Sequence, residues 1–156
     1  MKASTINQIQ KELATLEPKD VQALCMRLAK YKKDNKELLS YLLFDANDEK
    51  GYSESVKQEI DYLFSEMNRQ STYTTKKGLQ KVVRNMNKFI RYSENKQTEI
   101  EIRIYFCLKV KAARINLDSS NVIGNLYYRE KDKIDIAFSK LHEDLQFDYK
   151  EEMEKI

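Results

Sequence analysis

Five cations carry the most informative spacing in the chain: Lys77, Lys81, Arg84, Lys88 and Arg91 recur at i, i+4, i+7, i+11 and i+14. At roughly 100° per residue a helix gathers them into a wedge of about 80°, with Leu79, Val82, Val83, Met86, Phe89 and Ile90 centred on the opposite side. One face is then core and the other a basic ridge. Like charges one turn apart repel by about a few tenths of a kcal/mol per pair unless acidic neighbours or an anionic partner compensate. As a contact surface the ridge suits phosphates or an acidic protein, with Arg69, Lys76, Arg103 and Arg114 extending it and Tyr73 and Tyr92 offering rings for stacking. As a solvated face it pairs instead with Glu54, Glu59, Asp61 and Glu66 of the preceding helix.

The charge distribution along the chain sharpens the first reading. Residues 1–67 carry a net charge of −2, residues 68–115 of +9 and residues 116–156 of −4. A basic block flanked by acidic segments produces a local positive field in a chain whose overall charge is only +3.

Other residue types that carry chemistry do not converge. The single histidine, His142, stands beside Glu143 and Asp144, and sequence neighbours on a helix point in different directions. Cys25 and Cys107 lie far apart inside apolar runs, so with one histidine no nitrogen and sulfur zinc site can be assembled, and both thiols read as buried. Three scattered glycines cannot form a phosphate loop or a dinucleotide fingerprint. Acidic pairs such as Glu59 with Asp61 and Asp132 with Asp135 sit on faces that read as solvent-exposed. No catalytic residue, metal ligand, cofactor or small-molecule substrate is read from the sequence, and an enzyme is not expected.

The elements that position the ridge follow from composition and period. With 156 residues, 41% apolar side chains, three glycines and one proline, the chain is long enough for a core and too poor in turn residues for an all-β fold. Ile6, Ile9, Leu13 and Leu16 predict a first helix after a Ser4 or Thr5 cap; Pro18 opens a second through Val21, Leu24, Cys25 and Leu28. Asp34 and Glu37 form a capping box for a third, through Leu38 to Phe44. A fourth starts at a Ser53 cap and runs to Met67, and a fifth, from about Thr74, carries the ridge. Ile100, Ile102, Ile104, Phe106, Leu108 and Val110 alternate as a strand would, but Thr98, Glu99 and Glu101 look like a helix start and no partner strand exists, so the run is read as a central buried helix. A short helix through Val122 to Tyr127 and a long one from Ile134 to Tyr149 complete eight, ahead of a frayed tail at 151–156.

A duplication is suggested by laying residues 18–69 on 79–128. Val21, Cys25, Leu28, Ala29 and Tyr31 then meet Val82, Met86, Phe89, Ile90 and Tyr92, and Glu37, Leu42 and Phe44 meet Glu99, Ile104 and Phe106. Antiparallel helix pairs joined this way resemble HEAT- or armadillo-type repeats over residues 18–116, although the shift of 61 to 62 residues departs from the standard repeat length of about 40 to 47. The fold class expected is all-α, as a single domain over 1–150, either a short right-handed superhelix or an irregular bundle.

The N-terminus lacks a secretory apolar stretch and no run is long enough to span a membrane, so a cytoplasmic protein is expected. The function expected is a protein-interaction module that binds a partner or a second copy through a helical surface. The alternative is a nucleic-acid-binding domain using the basic face of residues 76–91. A membrane contact is not expected, because the apolar side of the ridge helix is consumed by the core.

Overall fold

The computed structural model describes residues 2–156. The protein is all-α, with eight α-helices and no strand among the described residues. It forms two compact units, one reaching as far as Phe44 and the other spanning Asp45–Ile156.

In the N-terminal unit, α1 (Ile6–Leu13) begins at Thr5, whose side chain forms a capping box with Gln8. Pro18 opens α2 (Pro18–Tyr31), where its missing N–H costs nothing. Lys32 is extended and starts α3 (Lys33–Ser40), so Asp34 lies inside the first turn, where its charge favours the helix dipole, rather than at the cap. Asn35 fastens the joint by donating from Nδ2 to the Leu28 carbonyl at 2.9 Å, and α2 packs along α3. A π-helical turn, Tyr41–Asp45, follows.

The larger unit holds α4 (Glu49–Ser65), α5 (Thr72–Ser93), α6 (Lys96–Ala112), α7 (Asn121–Phe138) and α8 (Glu143–Glu154). Asp48 caps α4 by accepting from the Gly51 N–H at 3.0 Å, one turn ahead of Ser53, which is buried inside the helix. Ser71 and Thr74 cap α5 reciprocally, and Asn95 accepts from the Gln97 and Thr98 N–H groups to start α6.

Helix α6 is the hub, packed by α4, α5 and α7. Ile100, Ile102, Ile104, Phe106, Cys107 and Val110 are all buried on it. Because α6 is covered on several sides, its apolar residues need no 3.6-residue stripe, which is why the sequence alternates like a strand there. The intervening polar residues each have a partner: Glu101 accepts from Ser53 Oγ at 2.9 Å and Tyr149 Oη at 2.8 Å, and Tyr105 Oη donates to Asp61 at 2.8 Å. Within this unit, helices that all contact a central one form an irregular bundle.

Two boundaries differ from the sequence reading. Helix α7 passes unbroken through the polar run 128–133, because Glu130 turns inward to Arg103 and is buried there. The chain breaks later, where His142 takes an extended conformation and caps α8 by accepting at Nδ1 from the Asp144 N–H. The charged segment after Lys150 continues as the last turns of α8, and Ile156 is buried.

Candidate functional site

The ridge forms on α5 as its spacing requires. Leu79, Val82, Val83, Met86 and Ile90 are buried on one side, and Lys77, Lys81, Arg84 and Arg91 are exposed on the other, with Lys88 half-buried. Tyr73 lies at the N-terminal end, exposed, with Lys76 and Lys77 Nζ at 5.1 and 5.7 Å from its ring centre. The acids of α4 form no ion pair with its four exposed cations among the described residues. Glu54 pairs with Lys57 at 2.7 Å and Asp61 with Lys109 at 2.8 Å, while Lys77, Lys81, Arg84 and Arg91 make no ion pair among the described residues.

The residues named as extensions of the ridge separate. Arg103 is only 4% exposed and points inward: Nε and Nη2 donate to Glu99 at 3.1 and 2.8 Å, and Nη1 donates to Asn87 Oδ1 at 2.9 Å and to Glu130. Burial alone would raise the Glu99 carboxyl, but hydrogen bonds from Lys96 and Arg103 outweigh it and hold that carboxyl below its ordinary range. Beyond Arg84 and Arg91, α5 and α6 open a hollow of about 830 Å³ lined also by Asn87, Lys96, Glu99 and Lys133. Arg69 and Arg114 line a separate hollow of about 410 Å³ beside the start of α5, where Arg69 donates to the Ala113 carbonyl.

Cys107 and Tyr105 are held in their protonated forms. Burial, then the charge of Glu130, pushes the Cys107 thiol up to about 12, so it stays protonated. Burial and the hydrogen bond to Asp61 push Tyr105 up to about 12. His142 and Asp144 are exposed on the surface. No cluster of three or more metal-binding side chains occurs among the described residues, and no described helix is long and apolar enough to cross a membrane. Cys25, which the sequence suggests is buried, is exposed.

The feature that sequence reasoning missed lies in residues 6–44. Ile6, Ile9, Leu13 and Leu16, then Leu24, Met26, Leu28 and Tyr31, then Leu42, Leu43 and Phe44 are all exposed, Leu28 at 60% and Phe44 at 76%. Tyr41 is the one buried apolar residue described there. Their periodicity reads as a core-facing stripe, and nothing in the pattern distinguishes a stripe that meets its own core from one left open. Between α2 and α3 this surface forms a groove of about 670 Å³, with Met26, Leu39, Leu43 and Phe44 on its walls and Lys30, Lys32, Lys33 and Lys36 around it.

Comparison with protein-family models, with curated proteins and with solved structures finds no match.

Proposed function

We propose that the chain is a non-catalytic protein-interaction module that engages a protein partner or a second copy of itself through the apolar surface of α1–α3. The observation that carries this reading is the run of exposed apolar side chains from Ile6 to Phe44 with one buried apolar residue among them. Exposed apolar side chains in such number are costly in water, since covering each contributes roughly 1.5–3 kcal/mol, and they mark an association site. The likeness to helical repeats fits the same role, because stacked helix pairs present extended surfaces to partners. Cytoplasmic residence fits the free Cys25 and Cys107 thiols, which a reducing compartment preserves.

The test places a photo-cross-linking residue at Leu28, and separately at Lys81, in the full chain expressed in cells. Adducts to protein are expected from position 28 and are lost when Leu24→Lys is added. Absence of adducts from position 28 overturns the reading.

A second reading rests on a different observation. Four cations of the ridge face solvent without an ion pair among the described residues, and two of them, Arg84 and Arg91, line the adjoining hollow. This supports contact with the phosphates of a nucleic acid along residues 76–91.

A further inference from the structure

Two surfaces in different units of the chain have no counterpart within their own unit, and their chemistries match. The first is the α2–α3 groove, with Met26, Leu43 and Phe44 exposed in its wall and Lys30, Lys33 and Lys36 around it. Lys30 and Lys36 form no ion pair among the described residues, and Lys33 reaches only Glu37, one turn along its own exposed surface, at 3.5 Å. The groove therefore offers an apolar floor under an incompletely neutralised basic rim.

The second surface is α8. Tyr149 anchors this helix by donating to Glu101 and is buried. Phe147, two residues away and so near the opposite side of the helix, is 77% exposed. Side chains three and four positions away share its face: Glu143, Asp144, Lys150 and Glu151, with Glu154 one turn further. Over Glu143–Glu154 there are six acidic side chains and one basic. Among the described residues these acids reach only two basic groups, both exposed: Lys155 beside Glu151 at 2.8 Å and His142 beside Asp144 at 3.4 Å. An exposed aromatic side chain among neighbours that are acidic except for Lys150 is an unfavourable surface in water and a fitting occupant for a lysine-rimmed apolar groove.

We infer that the α2–α3 groove receives α8 of a second copy of this chain, with Phe147 seated among Met26, Leu43 and Phe44 and the carboxylates of α8 facing Lys30, Lys33 and Lys36. This inference rests on the protein-interaction reading and names the partner. Reciprocal docking closes a twofold dimer, and one-sided docking builds a head-to-tail chain; both raise the mass above that of a monomer. The ring of complementary charges sets register and speeds encounter, while Phe147 supplies the apolar contact.

Sedimentation velocity on the purified full chain, across a range of concentrations and at low and high salt, tests this. Association is expected at low salt and weakens as salt rises. Lys33→Glu with Lys36→Glu, and separately Glu151→Lys with Glu154→Lys, each weaken it by more than about tenfold, because like charges then face one another. Combining both reversals in one chain restores association, because an acidic rim then faces a basic α8, and a folding defect in either surface would not allow this. Phe147→Ala weakens association without changing its salt dependence. A chain that stays monomeric at all concentrations, or an association that both reversals leave intact, overturns the inference. Should that monomer still give adducts from Leu28 in cells, the interaction reading survives with another protein as partner; without adducts, both fall.

Discussion

Arg103 and Glu130 show how far single residues can hide from sequence reading. Both are charged, Arg103 reads as an extension of the basic ridge and Glu130 lies in a polar run that reads as a joint, yet they are 4% and 1% exposed. Two opposite charges in so dry a place survive because every nitrogen of the guanidinium and both carboxylate oxygens find a partner: Glu99, Asn87 and Glu130 for the guanidinium, and Lys133 as well for the Glu130 carboxylate at 2.7 Å. Removing one partner leaves the other charge stranded. Arg103→Met is therefore expected to destabilise the fold by about 3 kcal/mol, and adding Glu130→Gln to recover a substantial part of that loss. Urea denaturation of the two variants against wild type measures both figures; equal losses in the single and double variants would show that the pair is not the source of the cost.

At the scale of elements, the helices whose apolar faces meet a core within the same unit were the legible ones. α5 carries its stripe at Leu79, Val82, Val83, Met86 and Ile90 and buries it, so both helix and ridge follow from period alone. α6 was legible only through its cap and the lack of a partner strand, because burial on several sides erases the helical stripe. The joint expected near residue 130 was misplaced for a related reason: a buried ion pair has the same letters as a surface one. The ridge itself was legible, but the absence of α4 ion pairs to its four exposed cations among the described residues was not, since partners are set by which way α4 turns its carboxylates. If phosphates are its targets, the chain binds labelled duplex DNA or single-stranded RNA with an affinity that falls steeply with salt. Replacing Lys81, Arg84 and Lys88 by glutamate should abolish that binding and flatten the salt slope. Fluorescence anisotropy reads both, and an undiminished affinity in the triple variant would remove the ridge from consideration.

For the molecule as a whole, stability is concentrated in one of its two units. Among the described residues every buried apolar side chain except Tyr41 lies within Asp45–Ile156, so the segment up to Phe44 depends on little hydrophobic burial of its own. Helices α1 and α3 are only 8 residues long each, and helices shorter than about 12–15 residues are marginal in water without packing. The joint held by Asn35 and the packing of α2 on α3 raise that pair above α1 but not to the level of α6. Amide hydrogen exchange on the dilute chain is therefore expected to rank α1 fastest, α2 and α3 intermediate, and α6 slowest, with opening free energies rising from near zero to the global value. Association changes this order in a specific way. A partner that covers the apolar surface must bear the cost of ordering α1–α3, and in return it slows their exchange while α6, already limited by global unfolding, responds only to the added overall stability. Exchange measured at low and at high protein concentration, and with the Lys33→Glu, Lys36→Glu variant as control, reads the coupling directly. Amides of α2 that exchange as slowly as those of α6 in the dilute wild-type chain would mean that the exposed apolar side chains are not waiting for a partner.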